Sequence, residues 1–95
     1  MIVSVDSKKY EKNHFKMLDS VNDTISAEFI YYCETLYKAP DGEYILEASW
    51  QLNPWWHEDE LAEGILSEED MLPKTEHKSL SEKEATAWLE VADRT

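Results

Sequence analysis

Apolar and polar residues alternate along two neighbouring stretches in the middle of the chain, residues 28–38 and 43–50. Between the two stretches lies the sequence Pro40-Asp41-Gly42. Proline presets φ for the second position of a type I turn, and glycine supplies the positive φ that closes it. The pattern therefore predicts a β-hairpin with a short bulged loop, in which Ala39 pairs with Glu43.

The register of this hairpin sorts its side chains onto two faces. It gives three facing pairs: Tyr37 with Ile45, Leu36 with Leu46, and Tyr32 with Trp50. Because side chains alternate between faces along a strand, two sets result. The more apolar set, which we expect to meet the core, comprises Ile30, Tyr32, Leu36, Tyr44, Leu46, Ala48 and Trp50. The half-polar set, which is either covered or meets a partner, comprises Phe29, Tyr31, Cys33, Thr35, Tyr37, Ile45 and Glu47.

Two short strands are predicted before the hairpin. Residues 1–5 alternate apolar and polar side chains, and Phe15, Met17 and Leu18 follow a similar pattern. Residues 19–23 are typical of a turn, and residues 24–29 lead into the hairpin.

The pattern after the hairpin changes to that of helices. Asn53 followed by Pro54 combines an N-cap side chain with proline at the first helical position. Gly64 suits the position just after a helix end. Residues 55–63 are therefore predicted to form a short helix.

The next stretch predicts one further helical turn. Ser67 and Asp70 resemble a capping box, and Pro73 limits this helix to about one turn. Residues 75–79 are interpreted as a polar connector or a short edge strand.

The last element has the strongest helix pattern. Ser81 is the N-cap and Glu84 the matching third helical residue. An apolar stripe with helical spacing comes next, formed by Ala85, Trp88, Leu89 and Ala92. We expect Trp88 and Leu89 to pack on the apolar face of the hairpin. The chain thus predicts a single α+β domain (residues 1–95): a small antiparallel sheet of three or four strands, a C-terminal helix on one face, and short acidic helices at the edge.

Charge narrows the classes of partner. The chain has 21 acidic and nine basic side chains and a net charge of −12. This balance argues against direct binding to nucleic acid, which needs a basic surface, and against anionic membranes. No apolar run approaches the ~20 residues of a membrane span, and no signal peptide is evident. A single cysteine, Cys33, excludes an internal disulfide, so we expect a cytoplasmic protein with a buried thiol.

The negative charge is concentrated in one region. No lysine or arginine lies between Lys38 and Lys74, a stretch that contains ten acids. Seven of them lie close to one another: Glu58, Asp59, Glu60, Glu63, Glu68, Glu69 and Asp70. Such a run is either a solvated acidic face or a surface that imitates the phosphates of DNA and enters a basic channel of another protein. The second interpretation makes these acids candidate partner-binding residues.

Two adjacent tryptophans begin the same region. Trp55 and Trp56 cannot both face the same way at a helix start, so we expect one to enter the core and the other to be at least partly exposed. An exposed tryptophan is a frequent interface anchor, which makes both residues candidates for partner binding. The alternative is that both pack over the sheet edge.

Catalytic and metal-binding patterns are weak. His57 with the acids after it suggests a divalent metal, but the spacing fits no known loop such as the EF-hand. Cys33 lacks the flanking motif of a catalytic nucleophile. There is no phosphate-binding loop or paired-cysteine signature, so neither a cofactor nor a metal is predicted.

Three motifs in order resemble a family of small proteins carried by phages and plasmids. Residues 34–46 (ETLYK, then Gly42, then YIL) resemble the family's "ETLYRT-x-x-G-x-YFL" hairpin, and residues 16–20 resemble its "K-x-Y-D-T" segment. Residues 80–90 (LSEKEATAWLE) are similar to its "L-(S/T)-x-E-E-A-x-x-W-L-E" helix. The chain departs from the family after the second strand, where residues 47–50 replace a "GEGG" segment.

The resemblance implies a mobile-element context. Small acidic phage proteins of this kind include anti-CRISPR and anti-restriction inhibitors. The leading hypothesis is therefore a non-enzymatic inhibitor that binds a basic nucleic-acid-binding host complex. The alternatives are an accessory protein that pairs as a homodimer through Phe29, Tyr31 and Tyr37, and a small enzyme that uses Cys33 or His57.

Overall fold

The computed structural model describes residues 1–22 and 27–93. Six strands are present in these residues: β1 (Ile2–Val5), β2 (Lys8–Glu11), β3 (Lys16–Asn22), β4 (Phe29–Lys38), β5 (Tyr44–Leu52) and β6 (Lys74–Leu80). The helices are α1 (Glu58–Ala62) and α2 (Glu82–Ala92), with 3-10 turns at Lys12–His14 and Glu68–Met71. Strands β3-β4-β5-β6 form an antiparallel sheet in that order, and β1 pairs with β2. The α+β prediction is confirmed.

The central hairpin has the predicted loop and register. The amide of Ala39 donates to the carbonyl of Glu43 at 2.8 Å, and the amide of Gly42 donates to the carbonyl of Ala39 at 2.9 Å. Gly42 has a φ of 90°, a conformation in which glycine avoids the steric cost of a side chain. The facing pairs are confirmed: Tyr37 with Ile45, Leu36 with Leu46, and Tyr32 with Trp50.

One face of the sheet is covered by α2. Leu36, Leu46, Leu80 and Ala85 form a buried cluster there, and Trp88 and Leu89 pack against it, as predicted. The capping box also forms, because the amide of Glu84 donates to Ser81 Oγ at 3.1 Å while the amide of Ser81 donates to Glu84 Oε1 at 3.0 Å.

The opposite face is covered by the β1–β2 hairpin at the same end of the sheet. Val3, Val5, Ala39 and Ile45 are buried together there, with Tyr10 and Phe15 packed against them. The half-polar set of the central hairpin is therefore partly covered within the chain.

Strand β2 was missed by the sequence prediction. The turn that precedes it consists of Asp6 and Ser7, both with positive φ (48° and 69°). A hairpin turn of this kind usually contains glycine or asparagine, so Asp-Ser gives little signal in the sequence.

Three other predictions need correction. The turn at residues 19–23 is wrong for residues 19–22, which continue β3, while Asp23 and residues 24–26 lie outside the described residues. Ile30, predicted on the core face, is 54% exposed, because the register of β4 shifts between Phe29 and Tyr31. The helix predicted over residues 55–63 is shorter, since a turn occupies residues 54–57.

The polar stretch near the end of the chain is a strand. Of the two interpretations of residues 75–79, the edge strand is correct, and it extends over Lys74–Leu80 beside β5. Within the described residues, no helix is long and apolar enough to cross a bilayer.

Candidate protein-interaction surface

Residues 53–72, called here the acidic segment, connect β5 to β6 and carry all nine predicted partner-binding residues. Asn53 anchors its start. The Asn53 amide donates to the carbonyl of Glu28 at 2.9 Å, and its side-chain Nδ2 donates to the carbonyl of Ala27 at 3.1 Å. Asn53 Oδ1 in turn accepts from the amide of Trp55 at 3.1 Å. The prediction that Asn53 caps a helix is wrong, because α1 begins at Glu58 and His57 occupies its N-cap position. Asn53 instead fastens a turn to the residues that precede β4.

His57 is the buried residue of this segment, with 5% of its surface exposed. Its Nδ1 lies 3.2 Å from Glu60 Oε1, and its Nε2 lies 3.2 Å from the carbonyl oxygen of Glu28. Both neighbours are hydrogen-bond acceptors, so a ring nitrogen that carries hydrogen can donate to the neighbour it faces. The ring that sequence reasoning weighed as a metal ligand therefore holds the turn onto the sheet.

Both tryptophans are exposed: Trp55 to 84% and Trp56 to 61%. The prediction that one of them enters the core is wrong, as is the alternative that both pack over the sheet edge. The reason is the turn at residues 54–57, which directs His57 rather than a tryptophan toward the sheet. Two large apolar side chains exposed to water are typical of a surface that binds a partner, because burying them there is energetically favourable.

The seven acids occupy two short helical turns. Glu58, Asp59 and Glu60 lie in the first turn of α1, where carboxylates suit the positive end of the helix dipole, and Glu63 caps its end. Glu68, Glu69 and Asp70 form most of the next 3-10 turn. The connection between the two turns is fastened to α1, because the amides of Ile65 and Leu66 donate to the carbonyl of Glu60 at 2.9 and 3.2 Å. The structure thus brings both groups of acids into one connected segment.

Two of the seven acids have structural partners. Glu60 contacts His57, and Asp70 Oδ2 accepts from the amide of Ser67 at 2.8 Å and from Ser67 Oγ at 3.2 Å. These hydrogen bonds hold the pKa of Asp70 below its usual value. The predicted capping box is confirmed.

The other five acids are exposed, and they form no ion pair within the described residues. Among the ion pairs formed within residues 1–22 and 27–93, none involves Glu58, Asp59, Glu63, Glu68 or Glu69. Their charges are therefore uncompensated within the described part of the chain.

The segment is attached to the sheet at its far end as well. Gln51 Nε2 donates to the carbonyl of Met71 at 3.0 Å, which joins the second acidic turn to β5. Two further apolar side chains are exposed along the segment, Ile65 at 66% and Leu72 at 57%. The surface therefore combines uncompensated carboxylates with exposed apolar groups.

Sequence reasoning missed a charged cluster on the sheet itself. Glu47 Oε2 lies 2.9 Å from Lys12 Nζ and accepts from His77 Nε2 at 2.8 Å. Burial alone would raise the pKa of Glu47, but its hydrogen bonds with Lys12 and His77 outweigh burial and lower it. The contact with Glu47 also raises the pKa of Lys12. The three residues are far apart in the sequence, and strand register brings Glu47 opposite His77.

The remaining candidates stand apart from the acidic segment. Cys33 is half-buried in β4, where the sequence predicted a buried thiol. Tyr37 packs against Phe15 with ring centroids 5.6 Å apart, and Lys12 Nζ lies 5.8 Å from the centre of its ring. Among the described residues, no group of three or more histidine, cysteine or acidic side chains is placed to hold a metal ion.

Comparison with models of protein families, with curated proteins and with solved structures found no match for this chain.

Proposed function

We propose that this chain is a phage-encoded inhibitor that binds a basic nucleic-acid-binding complex of a bacterial defence system, with a CRISPR effector as the leading target. It would act in the cytoplasm of the host by stoichiometric binding, without catalysis. The observation that carries the proposal is the acidic segment, which exposes Trp55 and Trp56 beside five carboxylates that have no ion-pair partner among the described residues. The resemblance to mobile-element proteins supports the phage origin.

Electrostatics favours a basic partner of the kind that binds DNA. Each strand of a DNA duplex carries a negative charge about every 3.4 Å, and a protein channel for DNA is lined with lysine and arginine. The acidic segment offers seven carboxylates from residue 58 to residue 70, and no lysine or arginine lies between Lys38 and Lys74. Attraction of this type accelerates association at low salt and weakens as salt screens the charges.

The exposed tryptophans can add binding affinity to the electrostatic attraction. Tryptophan is enriched among the residues that contribute most to binding, and its ring face attracts arginine guanidinium groups. Trp55 and Trp56 lie directly before the acids of α1, so one basic surface can meet both groups. We expect the tryptophans to supply affinity and the acids to supply association rate and selectivity.

The first test is charge reversal within the segment. The variant Glu58→Lys/Asp59→Lys/Glu63→Lys removes three exposed acids and spares Glu60, which holds His57. A matched control, Glu82→Lys/Glu90→Lys/Asp93→Lys, makes the same change of net charge on and beside α2. Tagged proteins are used to capture partners from a bacterial lysate at low and high salt, and the captured proteins are identified by mass spectrometry.

The proposal expects the wild type and the control to recover a basic nucleic-acid-binding complex that high salt releases, and the segment variant to lose it. Retention by the segment variant would remove these acids from the binding surface. Capture of no nucleic-acid-binding protein by the wild type would contradict the proposed class of target.

The second test concerns the defence system itself. Expression of the wild-type chain in a host with an active CRISPR system should restore plating of a targeted phage, and the segment variant should not. Plating that stays blocked in hosts carrying CRISPR systems of several types would contradict the anti-CRISPR assignment. The alternative that the chain inhibits a restriction system is tested by the same plating measurement, with an unmodified phage on a host that has an active restriction system.

A further inference from the structure

The two outer edges of the four-stranded sheet differ in how well they could accept another strand. Strand β3 pairs with β4 through a register shift between Met17 and Asp19, an irregularity of the kind that protects sheet edges from pairing. Strand β6 pairs with β5 without interruption from Lys74 to Leu80. Elements β1 and α2 contact β6, but among the described strands only β5 is hydrogen-bonded to it. Strand β6 therefore presents a long and regular edge.

We propose that the free edge of β6 pairs antiparallel with β6 of a second copy, which joins the two sheets into one of eight strands. The order of charges along the strand favours this pairing. When the pairing is centred on His77, the two copies of His77 face each other at the axis, Glu76 of each copy faces Lys78 of the other, and Thr75 faces Ser79. Opposite charges facing each other across two strands stabilise the pair, and like charges destabilise it.

The neighbouring registers are unfavourable. A strand's side chains alternate faces, so registers that keep the apolar face aligned differ by steps of two residues. The register centred on Glu76 places the two copies of Glu76 opposite each other and Lys74 opposite Lys78. The register centred on Lys78 places the two copies of Lys78 opposite each other. Of these three registers, only the central one makes the charges of β6 complementary to themselves, as a two-fold symmetric interface requires.

The side chains on this edge are accessible. Thr75, Glu76 and Lys78 are exposed, and the buried end of the strand, Leu80, lies outside the central pairs.

Charge swaps test the dimer directly. In the Glu76→Lys variant, the new lysine of each copy faces Lys78 of the other copy. In the Lys78→Glu variant, the new glutamate of each copy faces Glu76 of the other copy. We expect either variant to raise the dimer dissociation constant about tenfold in sedimentation equilibrium at about 150 mM salt, where screening limits the repulsion between two acidic chains. When the two variants are mixed, each altered residue faces its opposite charge, and a heterodimer should form with near wild-type affinity.

Matched controls make the same charge changes elsewhere. Glu90→Lys and Lys83→Glu alter exposed residues of α2 and should leave the dissociation constant unchanged. Circular dichroism confirms that each variant is folded. A wild type that remains monomeric at every concentration would overturn the proposal, and so would single variants that dimerise like the wild type or a mixture that does not recover the dimer.

Discussion

The two ends of the four-stranded sheet are held together in different ways. At the end near the central loop both faces are covered, with Leu36 and Leu46 beneath α2 and Ile45 beneath the β1–β2 hairpin. At the other end the acidic segment is held by hydrogen bonds of Asn53 and His57 to backbone carbonyls, and its tryptophans stay in water.

Under the proposed function, this difference places stability and recognition at separate ends of the molecule. Apolar burial contributes most of the free energy of folding, and it is concentrated in residues that no partner can reach. Uncompensated charges and exposed aromatic groups contribute little to folding, and they are concentrated where a partner can reach them. Substitutions at the two ends should therefore separate the free energy of unfolding from the affinity for a partner.

The largest effect is expected at the covered end. Leu36 has no exposed surface, so Leu36→Ala leaves a cavity between α2 and the sheet. We expect it to lower the free energy of unfolding by about 3 kcal/mol, measured by urea denaturation. The matched control Leu72→Ala shortens an exposed leucine of the acidic segment and should cost less than about 0.5 kcal/mol. Similar losses for the two variants would contradict the contrast between the ends.

The charged cluster of Glu47 should give the next largest effect. Glu47→Gln removes the charge that Lys12 and His77 both contact, and we expect a loss of about 2 kcal/mol at pH 7, because hydrogen bonds to charged groups are the stronger ones. Glu90→Gln, on the exposed side of α2, is the control and should have no measurable effect.

The same cluster sets a pH dependence with a definite sign. The pKa of Glu47 is lower in the folded chain, so its contribution is complete above the usual glutamate pKa of about 4.3 and is lost as pH falls through the lowered value. The pKa of Lys12 is raised, so its contribution is complete below the usual lysine value and is lost as pH rises through the raised one. Urea denaturation across pH should show a smaller loss of stability in acid for Glu47→Gln than for the wild type.

A smaller effect is expected at the turn that positions the tryptophans. Asn53→Ala removes the side-chain bonds to the carbonyl of Ala27 and the amide of Trp55, and should cost about 1 kcal/mol. Hydrogen exchange should show loss of protection in the acidic segment and none at Ile45. Loss of protection spread evenly over both ends would mean that the segment is not a separately stabilised part of the fold.

Sequence reasoning succeeded where a pattern is local. The loop around Gly42 and the caps of Ser81 and Ser67 each depend on residues within a few positions of one another, and all three are present in the structure. The register of the central hairpin is set by its loop, so the cluster beneath α2 was also predictable.

The failures are contacts between distant residues. His57 was considered only as a metal ligand or a catalytic residue, because the carbonyl of Glu28 that contacts its ring lies 29 residues earlier in the sequence. The exposure of both tryptophans goes with the turn at residues 54–57, which directs His57 inward in their place. The acids themselves were identified from composition, but composition could not show that Glu60 and Asp70 have structural partners while the other five acids have none among the described residues.

The smallest change in stability should accompany a large change in binding. Trp55→Ala and Trp56→Ala each remove an exposed ring and should alter the free energy of unfolding by less than about 0.5 kcal/mol. If these rings anchor the proposed interface, truncating either should weaken binding to the captured complex by about tenfold or more, a hot-spot effect. Trp88→Phe provides the contrast, because it trims a ring that packs against the core and should reduce stability while leaving binding intact. Equal binding by both tryptophan variants and the wild type would show that the acidic segment recognises its partner by charge alone.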